Sequence, residues 1–242
     1  MQHHTLRTQR ARIGLTTALL FLSLQIFYNA IVFAESNQTI GNKKNTRGAG
    51  PAVITIDLGK DGRRLGKKRA KVGLVEFYDF ECSYCSQFHT QVLPELKKKY
   101  IDTGKLLYVV KDFPLKNHPN AYQAAVAANC ADKQHKYWPM QGRLLVHQNQ
   151  ISAKFMLDTA KNLKLDMEKF KACVVTPDYQ RDVSREIALG RSLGVTSTPT
   201  FFIGTIKKNL LTVTGVAKGI PDMAELNKQI SDLIAGNAPA KD

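Results

Sequence analysis

A long stretch without strand character separates two strand-containing regions of this chain, and this arrangement constrains the fold more than any other feature. From about Pro119 to Leu193, Ala, Leu, Lys and Gln dominate and amphipathic segments follow one another. Ahead of this block, Val72 to Phe80 (VGLVEFYDF) and Lys105 to Phe113 (KLLYVVKDF) are apolar runs rich in β-branched and aromatic residues. The sequence therefore predicts a helical block between two parts that contain strands.

The part before the helical block is predicted to be a strand, a helix and a second strand. Ser83 to Tyr100 has apolar residues at helical spacing and a lysine run near its end, and Pro94 is expected to kink it. A connection of this length implies that the two strands pair in parallel. A further short strand is expected at Val53 to Ile56.

The part after the helical block completes the order of elements. Short strands are expected at Thr200 to Ile203 and at Leu211 to Thr214, and Pro221 to Ile234 has helical spacing. The total order, βαβ followed by helices and then ββα, is that of an α/β thioredoxin fold interrupted by an all-helical insertion. We place this domain at residues 53–236, its insertion at about 116–193 and a tail at 237–242.

At the N-terminus, a basic segment without acids precedes an uncharged run from Ile13 to Ala34. This is the pattern of an export signal, and the residues at Val32 and Ala34 predict cleavage after Ala34. The alternative is that residues 1–34 remain as a membrane anchor, because the uncharged run is long enough to span a bilayer. Residues 35–52 are polar and are interpreted as a linker. In either case we expect the folded domain to be periplasmic or otherwise extracytoplasmic.

The formal net charge of +15 makes nucleic acid the first partner to consider. The densest basic run, Lys60 to Lys71, contains no aromatic residue on which bases could stack, so no nucleic-acid partner is expected. We interpret the run as a solvated loop ahead of a strand. Anionic lipid or an acidic partner is the alternative.

The chemistry is concentrated at Cys82-Ser83-Tyr84-Cys85, where a predicted strand turns into a helix. Unpaired amides at the helix start stabilise a thiolate, so Cys82 is predicted to be the attacking sulfur and Cys85, one turn behind it, the resolving one. Two thiolates at this spacing could instead be half of a metal site. A closed tetrahedral site needs more ligands, and the sequence has no second CxxC and no HxxxH, so we expect a redox pair and no metal.

The dipeptide Thr198-Pro199 precedes the predicted strand TFFIG. In a thioredoxin-like fold, a cis proline at this point packs against the redox pair and leaves the preceding backbone free to bind an extended peptide. An ordinary loop proline at the start of a strand is the alternative.

Three segments, VEFYDFECSYC, HPNAYQAAVAANCA and VTSTPTFFIG, resemble in that order the DsbA-type thiol oxidoreductases of export compartments, particularly the BdbD-like branch of the Thioredoxin_4 group. The resemblance covers roughly Leu65 to Ile234. It implies a thioredoxin fold with a helical insertion, and thiol-disulfide exchange with extracytoplasmic proteins. Cys82 and Cys85 correspond to the redox pair of the family, Pro199 to its cis proline and Thr198 to the residue before it.

The resemblance also bears on residues around the pair. Glu76 matches a buried acid that assists proton transfer at the thiols; an ion pair between Glu76 and Lys111, which would tune the site, is the alternative. Ser83-Tyr84 is neither the Pro-His of strong oxidases nor the Gly-Pro of thioredoxin, so the redox potential is not inherited. We hypothesise that Ser83 hydrogen-bonds the Cys82 thiolate and that Tyr84 contacts a client peptide or a membrane partner.

The other two cysteines, Cys130 and Cys173, are predicted to form a structural disulfide, worth about 4 kcal/mol in the chain-entropy model, with two buried free thiols as the alternative. His89 lies one turn from Cys85 on the predicted helix and is expected to face solvent, with contact with the redox site as the alternative. Tyr137 and Trp138 are expected to pack the helical block.

The function expected from these features is oxidation of cysteine pairs in exported proteins, without a diffusible cofactor. Re-oxidation by a membrane partner of the DsbB or vitamin K epoxide reductase-like type is implied by the resemblance. A reductase or isomerase using the same atoms is the main alternative, and a metal-binding or metal-delivery module or a chaperone-like binder is a more distant one. A monomer is expected, because no added dimerisation domain is visible.

Overall fold

The computed structural model describes residues 53–59 and 62–237. The leader or anchor predicted at 1–34, the linker at 35–52 and the tail beyond residue 237 lie outside the described residues. Within the described part, no helix is both long enough and apolar enough to cross a membrane.

A six-stranded mixed sheet has the order β1-β6-β5-β3-β4-β2. Strands β3 and β4 pair in parallel, as predicted, and every other neighbouring pair in the sheet is antiparallel. The strands are β1 (Thr55–Asp57), β2 (Arg64–Leu65), β3 (Val72–Tyr78), β4 (Leu106–Asp112), β5 (Thr200–Lys207) and β6 (Leu210–Lys218).

Every residue of β3 and β4 is buried, which explains why both read as continuous apolar runs rather than alternating ones. Strands β5 and β6 are longer than the short strands predicted at Thr200 to Ile203 and Leu211 to Thr214. They form a hairpin whose turn residues, Lys208 and Asn209, both have positive φ angles, 49° and 67°. Such a two-residue turn matches the twist of the strands and lets the pairing continue to its tip.

The helical segments confirm the predicted order, including the helical block without strands between β4 and β5. The α-helices are α1 (Ser83–Gln87), α2 (Leu93–Leu96), α3 (Ala121–Asp132), α4 (Tyr137–Val146), α5 (Ala153–Asn162), α6 (Met167–Val175), α7 (Pro177–Ser192) and α8 (Met223–Ala235).

The helix predicted from Ser83 to Tyr100 is irregular. A π-helical segment, Phe88–Val92, joins α1 to α2, and a second one, Lys97–Ile101, follows α2. Pro94 lies in the first turn of α2, directly after the first wide turn. Because proline has no N–H to donate to the preceding turn, it favours this local change of helix type.

The disulfide predicted between Cys130 and Cys173 is confirmed: it joins α3 to α6 within the insertion, with Cα atoms 5.8 Å apart. Tyr137 and Trp138 also pack as predicted. Tyr137 is buried in the core, while Trp138 packs against it and donates its indole N–H to the carbonyl of Gly62 at 3.1 Å.

The expectation of a solvated loop over Lys60 to Lys71 is wrong at Arg63. This guanidinium is buried and binds Asp112 Oδ2 at 2.8 Å and Glu186 Oε1 at 2.6 Å, and the chain forms the short strand β2 beside it. Lys111 also binds Glu186, at 3.1 Å. We call Arg63, Lys111, Asp112 and Glu186 the Arg63 cluster. A composition argument cannot distinguish one buried cation from the exposed lysines around it.

Candidate active site

The two predicted redox cysteines lie at the carboxyl end of β3, as free thiols. Cys82 is the residue that precedes α1, and its N–H donates to the carbonyl of Asp79 across a tight turn. The Cys82 residue is 7% exposed, whereas Cys85, one turn into the helix, is fully buried. Only one of the two sulfurs is therefore within reach of a second protein.

The two thiols have opposite acidities. A hydrogen bond from Cys85 is the main cause that lowers the pKa of Cys82 to about 6; burial opposes it, and the nearby Thr198 and the amides of Cys85 and Tyr84 assist it. Burial raises the pKa of Cys85 well above its ordinary value, and its contact with Cys82 and the charge of Glu76 act in the same direction. The pair combines an accessible thiolate with a buried thiol, as thiol-disulfide exchange requires.

The peptide bond between Thr198 and Pro199 is cis, as predicted. Cys82 Sγ donates to the carbonyl of Thr198 at 3.2 Å, so this loop lies directly against the accessible sulfur. The N–H of Gly219, just after β6, donates to the carbonyl of Pro199 at 2.8 Å and fixes the loop to the neighbouring strand.

Strands β5 and β6 and the start of α8 line an open cavity of about 280 Å³. Phe201, two residues after Pro199, and Val216 contribute apolar surface to it, whereas Lys218, Asp222 and Glu225 make much of its lining polar.

The helical insertion holds the turn that carries Cys82, through residues that the sequence analysis missed. The Gln148 side chain donates to the carbonyls of Phe80 and Cys82, at 2.7 and 2.8 Å. Ser86 donates its hydroxyl to the carbonyl of Leu145 at 2.8 Å. No local signal could have revealed Gln148, because it acts on residues more than sixty positions away.

Two carboxylates on the same turn also reach the insertion. Asp79 accepts from the amide of Leu115 and contacts His118 Nδ1 at 2.9 Å, and burial raises its pKa while these hydrogen bonds oppose the rise. Glu81 accepts from the backbone and side chain of Asn120, immediately before α3. The turn is thus attached to the insertion from two sides.

Beneath Cys85, Glu76 is fully buried on β3, as the sequence analysis expected for an acid at this position. Its Oε2 accepts from the Tyr108 hydroxyl and lies 3.0 Å from His89 Nε2. Gln141 Nε2 lies 3.0 Å from His89 Nδ1. We call Glu76, Tyr108, His89 and Gln141 the Glu76 cluster.

Two expectations about this region are wrong. Lys111 neither pairs with Glu76 nor tunes the redox pair: it is opposite Phe77 in the strand register, points to the other face of the sheet and binds Glu186. His89 does not face solvent, because its side chain is only 6% exposed and reaches Glu76. Its spacing of four from Cys85 puts it on the same buried helix face, so the alternative, contact with the site, is the one that the structure shows.

The two residues between the cysteines are exposed. Ser83 begins α1, and within the described part of the chain its hydroxyl makes no hydrogen bond to Cys82; amides of the first turn act on the sulfur instead. The hydrogen bond predicted between Ser83 and the Cys82 thiolate is therefore not seen in the described part of the chain. Tyr84 is 61% exposed beside Cys82, where a partner could touch it. Over residues 53–59 and 62–237, no three His, Cys, Asp or Glu side chains group as metal ligands.

A family model for thioredoxins, Thioredoxin_4, matches residues 59–220, which include the redox pair and the cis proline. The chain belongs to this thioredoxin family. Among solved structures, this thioredoxin-family protein is similar to Wolbachia pipientis alpha-DsbA1, with 27% identity, a TM-score of 0.61, and coverage of 72% of this chain and 91% of that one. Oxidised BdbD from Bacillus subtilis is 22% identical, with a TM-score of 0.62 over 72% of this chain and 93% of that one, and supports the fold.

Two kinds of curated relatives are similar in sequence. The Na(+)/H(+) antiporter NhaA 3 of Salinispora tropica is 29% identical over 197 residues, which are 80% of this chain but only 29% of the antiporter. The chain thus spans less than a third of that relative. A provisionally named protein-disulfide oxidoreductase of Rickettsia prowazekii is 24% identical over 189 residues, which are 75% of this chain and 69% of that protein.

Proposed function

We propose that this chain is a thiol-disulfide oxidoreductase that forms disulfide bonds in exported proteins through Cys82 and Cys85. The observation that carries the proposal is the opposite acidity of the two thiols beside a cis proline. The similarity to alpha-DsbA1 and to the Rickettsia oxidoreductase supports the same class of reaction.

The reaction begins with the Cys82–Cys85 pair as a disulfide. A client thiolate attacks Cys82 Sγ, the bond between the two cysteines breaks, and Cys85 leaves and takes up a proton. A second client thiol then attacks the client sulfur of the mixed disulfide, loses its proton, and releases Cys82 as a thiolate. Two electrons pass from the client to the pair, so the client is oxidised and the chain is reduced.

Client binding is proposed at the surface around Cys82. The backbone of Thr198, before the cis proline, would pair with an extended peptide, and the exposed Tyr84 would contact it. Clients of this kind are exported proteins, and we propose that the chain acts as an extracytoplasmic monomer. A membrane protein of the DsbB or vitamin K epoxide reductase-like type is the proposed re-oxidant.

The acidity of Cys82 favours the oxidase direction, but only modestly. A pKa of about 6 instead of about 8.5 stabilises the reduced chain by about 1.4 kcal/mol at pH 7, which raises the potential by about 30 mV. Thioredoxin and DsbA differ by about 150 mV. The direction of the reaction therefore requires a measured potential.

The decisive experiment equilibrates the full chain with glutathione and measures the redox state of Cys82 and Cys85 by alkylation and mass spectrometry. A potential near −120 mV, the DsbA value, is expected for an oxidase, whereas one near −270 mV would favour a reductase. A Cys85→Ser variant should trap a mixed disulfide with an oxidised peptide, and Cys82→Ser should not. If the oxidised chain exchanged with no thiol and Cys85→Ser trapped no mixed disulfide, the proposal would be wrong.

A further inference from the structure

The Glu76 cluster is built from four separate elements and is linked to the redox pair through His89, which lies one helical turn after Cys85 and contacts Glu76. Glu76 comes from β3, Tyr108 from β4, His89 from the π-helical segment after α1, and Gln141 from α4 of the insertion. Glu76 is close enough to Cys85 for its charge to raise the pKa of that thiol. A buried carboxyl group next to a buried thiol is well placed to exchange a proton with it.

Gln141 sets the tautomer of His89. Its side-chain nitrogen can only donate, so the His89 Nδ1 atom 3.0 Å away accepts. The ring proton is then on Nε2, which donates to Glu76 Oε2 at 3.0 Å. His89 is neutral in this arrangement.

The two oxygens of Glu76 therefore differ. Oε2 accepts from both His89 and Tyr108, and burial keeps the pKa of Tyr108 well above its ordinary value, so its hydroxyl remains a donor. Oε1 is buried and, among the described residues, makes no hydrogen bond. A buried oxygen without a partner is costly unless it gains a proton or a donor.

We propose that His89 and Gln141 are positioning residues that occupy Oε2 of Glu76 and leave Oε1 as the oxygen that exchanges a proton with Cys85. This inference rests on the proposed function. It concerns His89 and Gln141, which no sequence motif singled out.

The proton balance closes within one catalytic cycle. When a client thiolate attacks Cys82 and Cys85 leaves as a thiolate, the Oε1 proton of Glu76 moves to the Cys85 sulfur. The resulting carboxylate keeps the Tyr108 and His89 donors. When the pair is re-oxidised, Cys85 returns the proton to Oε1 as its new sulfur–sulfur bond forms.

Four groups surround the His89 ring. Glu76 and Tyr108 lie on its Nε2 side and Gln141 on its Nδ1 side, and the Tyr78 ring packs 5.6 Å away with its hydroxyl paired to that of Tyr137. Without the Gln141 contact, the ring would no longer be fixed with its N–H towards Oε2. The proton would then no longer be confined to Oε1, and departure of Cys85 should slow.

The test measures how fast dithiothreitol reduces the oxidised full chain from pH 5 to 9, corrected for the thiolate fraction of the reagent. In His89→Gln we expect a rate about tenfold lower at pH 7 and a pH profile that differs from that of the parent chain. Alkylation of Cys82 in the reduced variant should stay within twofold of the parent rate. This second readout separates the proton step from the reactivity of Cys82.

Two further variants complete the test. In Gln141→Glu, no amide N–H donates to Nδ1, so the Nε2–H tautomer of His89 is no longer fixed, and the rate and its pH profile should change in the same direction as in His89→Gln. The exposed His135 provides the matched control His135→Gln, which should reproduce the parent profile. If His89→Gln does not fold, the rate and pH profile of Gln141→Glu test the inference instead.

The inference is overturned if the parent chain exchanges disulfides and neither Glu76-cluster variant changes the pH profile. A parent chain that does not react with dithiothreitol at all would instead refute the proposed function. The two failures are therefore distinguishable.

Discussion

The Arg63 cluster and the Glu76 cluster both bury polar groups beside β4, but different contacts offset the free-energy cost of removing these groups from water. In the Arg63 cluster two cations meet two carboxylates, and Asn129 and the Asp112 amide add further hydrogen bonds. In the Glu76 cluster, His89 and Tyr108 hydrogen-bond one oxygen of a single carboxyl group, and among the described residues the other oxygen has no hydrogen-bond partner. Paired buried charges suit a fixed structural contact, whereas a carboxyl group with only one hydrogen-bonded oxygen can gain or lose a proton on the other.

The largest effect on the free energy of unfolding is expected in the Arg63 cluster. Arg63→Leu leaves Asp112 and Glu186 without their main counter-ion, so we expect the free energy of unfolding to fall by about 3–5 kcal/mol in urea titrations. Arg69→Leu, an exposed arginine of the same basic run, should change it by no more than about 0.5 kcal/mol. The comparison fails if Arg63→Leu alters the pH profile of the Cys85 step as strongly as His89→Gln does.

The second prediction concerns the stability of the reduced protein. The pKa of Cys82 is about 6 when folded and about 8.5 when unfolded, so its stabilising contribution is complete above the unfolded value and is lost as pH falls through 6. The reduced chain should lose about 2 kcal/mol between pH 8 and pH 6 relative to the oxidised chain, which lacks this thiol. Equal pH dependence of unfolding in the two redox forms would contradict the shifted acidity.

A smaller effect is expected where the insertion braces the active-site turn. Gln148→Leu removes donors from the carbonyls of Phe80 and Cys82, and should lower the free energy of unfolding by about 1 kcal/mol. The exchange rate should fall more than stability alone explains, because Cys82 loses its fixed position. Gln150→Leu changes an exposed glutamine of the same short 3-10 helix, Gln148–Gln150, and is the matched control; indistinguishable rates for the two variants would contradict the role proposed for Gln148.

The smallest effect on stability is expected at Tyr84. Because this side chain is largely exposed, Tyr84→Ser should change the free energy of unfolding by less than about 0.5 kcal/mol. Its KM for a reduced client peptide should rise several-fold, while its rate with dithiothreitol stays at the parent value. An unchanged KM would place the client elsewhere.

The features that could be predicted from the sequence depend on neighbours along the chain. The order of elements follows from local apolar patterns, and the positions of Cys82, Cys85 and Pro199 follow from short motifs. The disulfide between Cys130 and Cys173 could be proposed because few cysteines were available to pair.

The two polar clusters could not be predicted, because they depend on register and on distant contacts. A strand pattern does not say which residue of β4 is opposite Glu76, so Lys111 was assigned to the wrong face. Arg63 and Glu186 are 123 positions apart, and no local pattern connects them. His89 was within reach of prediction, but an isolated histidine gives no sign of what its ring nitrogens bind.

The Cys130–Cys173 bond has a consequence for how the protein matures. It lies in the insertion that holds the Cys82 turn, and it is a bond of the kind that the proposed activity makes in other proteins. A newly exported chain would then be a substrate for molecules exported before it. Under the proposed activity, mature chains would form the Cys130–Cys173 disulfide of newly made chains.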